Sequence, residues 1–195
     1  FFMKNLLSLL ILLCGISSCT KAPRLVEVDK GYSSTSVNTT IFRNSSLASF
    51  EGKQYIAYYD AEGWMVIGSR LLNEDTWTLK RSQYKGNVKD AHNIISLMVD
   101  GEGYLHVAFD HHGHPLNYCR SVAPHSLELG DKESMTGVDE KDVTYPEFYR
   151  LANGDLLFAY RSGVSGRGNL VLNRYSLETR QWERVQDILI DGENL

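Results

Sequence analysis

A glycine, an alanine and an aromatic residue recur together at a fixed interval, and that interval constrains the fold of this chain more than any other feature. Gly52, Gly103 and Gly154 are 51 residues apart, and so are Ala57, Ala108 and Ala159. The position after each alanine holds Tyr58, Phe109 or Tyr160. The runs concerned, QYIAYY, YLHVAF and DLLFAY, are short and each follows a turn signal, EGK, GEG or ANG. Short runs of Tyr, Ile, Val and Phe bounded by Gly and Asn are strands rather than helices. A polar loop and a further strand follow each run, in WMVIGSR, PLNYCRS and NLVLNRY. Two of the three units then show a strand with a tryptophan, DTWTLKR and RQWERVQ. The chain therefore reads as all-β, in units of about 50 residues that each form a four-stranded antiparallel sheet.

Sheets of this size do not stand alone, because both faces and both edges are poorly covered. Stacking them radially buries the faces, and closing the ring protects the inner and outer strands. The expected architecture is a β-propeller, with an open β-sandwich as the alternative. The small alanine in the middle of each run, taken as the first strand of its unit, suits the crowded inner part of a blade. A propeller needs at least about four blades. The sequence supplies about three, so the expectation is a piece of a longer reading frame; a ring closed by partner chains is the other solution.

The first residues read as an export signal. Met3-Lys4 precedes the apolar run NLLSLLILLCG, too short to span a membrane as a stable helix. ISSC, residues 16–19, resembles a bacterial lipobox, which would lipidate Cys19 and anchor the protein to the membrane of the cell envelope. An ordinary secretory signal with a chance Cys19 is the alternative. Cys14 lies in the segment that would be removed, leaving Cys19 and Cys119, so no disulfide framework is expected despite export. The expected organisation is a signal with lipobox over 1–19, a linker over 20–30 and a partial propeller over 31–195. A net charge of −4 gives no footprint for nucleic acid.

In a propeller the loops that follow the inner strands line a shared funnel, so site residues come from several blades. The position after each repeated aromatic holds Tyr59, Asp110 or Arg161, three polar residues at equivalent strand ends. His111, His112 and His114 follow Asp110 in FDHHGHP and are expected at one mouth of the channel, outside the core. Arg161 can make a bidentate contact with a carboxylate, or else an internal salt bridge to Asp110. His92, in KDAHNIISLMVDG, and Tyr145, in DVTYPEFYRL, each lie just before a strand and are 53 residues apart, near the repeat spacing. They are expected at similar places on adjacent blades, with Tyr145 held extended by the proline after it. A structural metal ion is the alternative use of the histidine loop. Adjacent histidines diverge, so His112 with His114, or His114 with Cys119, is the easier pairing. His106, alternating with Leu105 and Val107, is expected in the packing between blades, and His125 in a polar loop.

DGEGYLHVAFDHHGHPLNYCRS and VTYPEFYRLANGDLLFAYRSGVSGRGNLVLNRY resemble the BNR-repeat-containing propellers of bacterial carbohydrate-active proteins. That family includes seven-bladed polysaccharide lyases that act on ulvan. The resemblance covers roughly residues 31–195, and the sialidase Asp-box Ser-x-Asp-x-Gly-x-Thr-Trp is absent, with only a fragment in NEDTWTL. It implies a site of two histidines, a tyrosine and an arginine in this chain order: His92, His112, Tyr145 and Arg161. It further implies an anionic, uronate-containing polysaccharide as substrate, cleaved by β-elimination without a redox cofactor. Arg161 would neutralise the uronate carboxylate, and His92 and Tyr145 would serve as base and acid, in either order. His112 would hold the carboxylate or orient the base. Two other functions fit the same scaffold. A glycoside hydrolase would use a carboxylate pair, for which Asp110 and Glu147 are candidates; a non-catalytic propeller would only bind glycan.

Overall fold

The computed structural model describes residues 24–31, 33–39 and 45–192. The signal segment and Cys19 lie outside these. Every regular element among the described residues is a strand. The first sheet has the order β1 (Leu47–Phe50), β2 (Lys53–Tyr59), β3 (Trp64–Leu71), β4 (Thr78–Lys85). The second joins β5 (Ile95–Val99), β6 (Leu105–Phe109) and β8 (Tyr118–Arg120). The third has the order β12 (Gln181–Ile190), β11 (Arg167–Ser176), β10 (Leu156–Val164), β9 (Val143–Arg150) and β7 (His112–His114). All pairings are antiparallel.

The repeated run is the second strand of each sheet, β2, β6 or β10, and not the first. The cause lies in the repeated glycine, which has positive φ in all three units: 75° at Gly52, 89° at Gly103 and 92° at Gly154. This is the conformation that glycine adopts without steric cost, and it folds each run back onto the strand before it. Between β1 and β2 the loop is only Glu51-Gly52, both at positive φ, as a tight antiparallel hairpin requires. Gly154 also touches the neighbouring unit. A Cβ there would come within 2.7 Å of the Gly101 Cα, and the Gly101 N–H donates to the Gly154 carbonyl at 2.9 Å.

The sheets are not uniformly four-stranded. The second has three strands, because residues 121–133 hold Pro124 and Gly130 and no alternating apolar run. A single bridge, Ser121 with Leu129, marks the place of the missing strand. The Gly130 and Glu133 N–H groups still bond the Arg120 and Tyr118 carbonyls, which covers the outer edge of β8. The third sheet has five strands, since β7, from the loop of the second unit, pairs with β9.

The second sheet lies between the other two, and β6 shows this directly. All five of its residues are buried. Leu105, Val107 and Phe109 join Tyr55, Tyr59, Met65 and Ile67 of the first sheet in one apolar cluster. Ala108 points the other way and joins Phe148, Phe158, Tyr160 and Tyr175 of the third sheet. Each fully buried large side chain of this kind contributes about 1.5–3 kcal/mol.

His106, on the same face of β6 as Ala108, sits at the interface between the second and third sheets, as its alternation with Leu105 and Val107 predicts. Its Nε2 lies 3.1 Å from Asp100 Oδ2 and its Nδ1 lies 2.7 Å from the Tyr118 hydroxyl, which accepts a 3.0 Å bond from Trp182 Nε1–H. Burial, the largest cause, pushes the imidazole toward its neutral form. Donation then runs one way, from Trp182 to Tyr118 to His106 to Asp100. Tyr118→Phe would leave the indole N–H and His106 Nδ1 without partners, at about 1–3 kcal/mol for each buried orphan. A drop in unfolding free energy of about 3 kcal/mol, measured by urea titration, is the expected result; a change within about 0.5 kcal/mol would mean that water replaces the hydroxyl.

Candidate active site

Three segments bring polar side chains to one end of the second sheet. The segment before β5 is held by hydrogen bonds to side chains and backbone. Asn87 N–H donates to Asp110 Oδ1 at 2.7 Å, and the Asn93 side chain donates to the Asn87 carbonyl at 3.1 Å. Asp90 Oδ1 accepts the His92 N–H at 2.9 Å, closing an Asx turn that presents His92.

His112 arrives differently. Asp110 has a φ of 63° and Gly113 one of 70°. The chain thereby leaves the line of β6 and crosses to the third sheet, where His112 pairs with Thr144 and Gly113 N–H donates to Thr144 Oγ1 at 2.8 Å. His112 is thus beside the strand that carries Tyr145.

Tyr145 is not extended, as the proline after it had suggested; its φ is +54°. The register of β9 on β10 shows why. Glu147 faces Ala159 and Thr144 faces Arg161, so Tyr145 and Pro146 together stand opposite the single residue Tyr160. This is a β-bulge, which breaks the ladder where proline has no N–H to give and re-aims the side chain. A tyrosine in the left-handed region is strained, and such strain collects at functional positions.

The cluster is built from these pieces. His92 Nδ1 lies 2.6 Å from Asp90 Oδ1, and His112 Nδ1 lies 2.6 Å from Asp90 Oδ2. The two imidazoles stack with centroids 4.2 Å apart and planes 24° from parallel. The Tyr145 ring is 6.1 Å from that of His92, and the Arg161 guanidinium carbon lies 5.3 Å from the centre of the Tyr145 ring. Gly168 makes room for Arg161, since a Cβ there would meet the Arg161 Cγ at 2.7 Å. The Arg161 Nε is buried without a hydrogen-bond partner.

Burial acts most strongly on Asp90 and would raise its carboxyl. The His92 backbone N–H and the two imidazoles together outweigh it and hold the group well below the usual carboxylate range. Asp90 is therefore a carboxylate, which only accepts hydrogen bonds.

The other sequence candidates fall elsewhere. His111 is fully buried rather than at a mouth; Asn117 N–H donates to its Nε2 at 2.8 Å. Burial foremost, then nearby His114 and Lys132, pushes it down to about 3, so it stays neutral. His114 is exposed, and its Nδ1 accepts the His112 N–H at 3.1 Å. Tyr59 is fully buried, and Asp110 is engaged by Asn87, so of the three equivalent strand-end residues Arg161 alone stacks on Tyr145. Among the described residues no ion pair joins Arg161 to Asp110. Glu147 accepts from the Tyr149 hydroxyl. His125 stacks on Phe50 and bonds the Tyr55 hydroxyl at 2.8 Å.

For metal binding, Cys119 is buried, with its thiol pushed up to about 12 by burial. Among the described residues the converging donors are those of Asp90, His92 and His112, all within 4.8 Å of one another. The 2.6 Å separations suit charge-assisted hydrogen bonds. Two ligands of one tetrahedral ion, each about 2.0–2.1 Å from it, stand about 3.3 Å apart, so the trio as arranged fits protons better than a metal. Asp90 is the member of this cluster that sequence reasoning missed. Its only signal is the spacing Asp-x-His, which is what an Asx turn uses.

Residues 53–195 match the model of a family described as BNR repeat-containing. The long isoform of ulvan lyase from Alteromonas sp. (strain LOR) is 31% identical across 60% of this chain. That match spans 16% of the relative's own length. Two solved structures share the fold. The polysaccharide lyase Uly1 superposes with a TM-score of 0.66 at 14% identity, over 86% of this chain and 45% of its own. The PL25 ulvan lyase bound to -[GlcA(1-4)Rha3S]- gives 0.61 at 17% identity, over 74% of this chain and 37% of its own.

Proposed function

We infer the function from the premise that the chain belongs to the BNR repeat-containing family. The chain forms part of a polysaccharide lyase that cleaves a uronate-containing, ulvan-like glycan by β-elimination. Its three sheets are successive blades of a propeller that further blades complete. The relatives named as ulvan lyases, and the one bound to -[GlcA(1-4)Rha3S]-, support this substrate class.

The observation that carries the reading is the convergence of the stacked His92–His112 pair, Tyr145 and Arg161 at one place, with the nearby carboxylates already engaged. A hydrolase needs two carboxyl groups flanking the bond. Asp110 is held by Asn87, Glu147 by Tyr149 and Asp90 by both histidines. Elimination needs other groups. The C5 proton of a uronate is weakly acidic while its carboxylate keeps full charge, and the Arg161 guanidinium offsets that charge and stabilises the enolate-like intermediate. His92 takes the C5 proton, and the Tyr145 hydroxyl gives a proton to the C4 oxygen as its bond to carbon breaks. The product carries a C4–C5 double bond.

The test uses the complete gene product and ulvan. A rise in ultraviolet absorbance from the unsaturated uronate is expected. New reducing ends without absorbance would make the protein a hydrolase, and binding without product would make it a glycan-binding propeller.

A further inference from the structure

We propose that Asp90 is the positioning residue of this site, one carboxylate that holds both His92 and His112 in the Nδ1–H tautomer and so turns the Nε2 of each ring toward the substrate. The catalytic consequence rests on the lyase reading; the positioning itself rests on geometry alone.

Asp90 Oδ1 accepts two bonds from His92, from the backbone N–H at 2.9 Å and from Nδ1 at 2.6 Å. Oδ2 accepts from His112 Nδ1 at 2.6 Å. A carboxylate has no proton to give, so the hydrogen in both short bonds belongs to the imidazole. In its neutral form each ring therefore carries its proton on Nδ1 and its lone pair on Nε2, across the ring from Asp90. The two rings meet the carboxylate through the same nitrogen and stack at 4.2 Å, so Asp90 aligns them as well. Such fixing of tautomer and ring plane by an acceptor behind the imidazole makes a histidine a competent base.

The asymmetry of the two carboxylate oxygens gives a sharp test. In Asp90→Asn the amide keeps the shape of the side chain. Its oxygen must occupy the Oδ1 place, because an NH2 there would face two donors from His92. The NH2 then takes the Oδ2 place and donates to His112 Nδ1. His92 should keep its Nδ1 proton, whereas His112 should switch to Nε2–H. Ring 15N spectra of the wild type and the variant, in the complete gene product, read both tautomers, with His106 and His125 as reporters of an unchanged fold. On uronate glycan kcat should fall by about 10²-fold or more while KM changes little, since Arg161 still binds the carboxylate. A variant in which His112 keeps its wild-type tautomer, or His92 and His112 switch together, overturns the proposal whatever the activity. The expected tautomer change with no unsaturated product from the wild type would leave Asp90 as the organiser of a binding site and defeat the lyase reading instead.

Discussion

Tyr145→Phe should lose elimination activity by about 10³-fold, the middle of the range for a general acid, and keep its melting temperature. The substitution removes the phenolic oxygen and leaves every ring carbon in place. The ring stays, and with it the contacts at 6.1 Å to His92 and 5.3 Å to Arg161. The backbone stays too, because the bulge and its positive φ depend on the position of Pro146 and the register against β10, not on the phenol. Tyr145 is only half-buried, so no large cavity is left behind. The loss should appear in kcat, because a proton donor to the leaving oxygen acts in the transition state and adds little to ground-state binding. Steady-state kinetics at saturating glycan, with thermal unfolding run in parallel, make the comparison. Activity within about 10-fold of wild type would move the acid to another group. A loss of activity accompanied by a fall of several degrees in melting temperature would make the hydroxyl structural.

The parts of this molecule that the sequence made legible depend on repeated local geometry. A glycine at positive φ every 51 residues, followed by a buried alternating run, is a constraint that each unit must meet by itself, so spacing alone exposes it. The role of His106 was legible for the same reason, since its neighbours alternate around it in a five-residue strand. What escaped depends on departures from regularity. The strand β7 is three residues long, too short to show a period, and it exists because Asp110 adopts a φ of 63° and sends the chain to the next sheet. That crossing separates His111, which stays buried in the second unit, from His112, which reaches the site. The bulge at Tyr145 overrides the usual preference of a residue before proline, and a bulge is a property of two strands in register. Asp90 was silent because its importance lies in one carboxylate reaching two rings from different segments, which only the fold brings together.

Arg161→Lys should lower kcat/KM by about 10²–10³-fold although it conserves charge, and it should not destabilise the protein. On the proposed elimination, arginine serves at this position by its shape as well as its charge. A planar fork meets a uronate carboxylate through two parallel N–H bonds, while an ammonium offers a point charge on a flexible stem. Arg161 is also placed by its surroundings. Its stem crosses Gly168, where no side chain intervenes, and its guanidinium lies over the Tyr145 ring, so the donors arrive beside the proposed acid. Loss of one such aligned donor set costs about 2.7–4 kcal/mol of transition-state stabilisation. Stability should behave oppositely. The buried Nε has no hydrogen-bond partner, and an unpaired buried donor is a cost to the fold. Lysine has no nitrogen at that point, so the melting temperature should hold or rise. Kinetics on a uronate glycan and a thermal melt of the same preparation decide the matter. A lysine variant with near-wild-type kcat/KM would show that charge alone suffices and that the fork geometry has no role. A variant that melts well below the wild type would make Arg161 a residue of the scaffold, because a group kept for substrate at some cost to the fold should leave a more stable protein when it is removed.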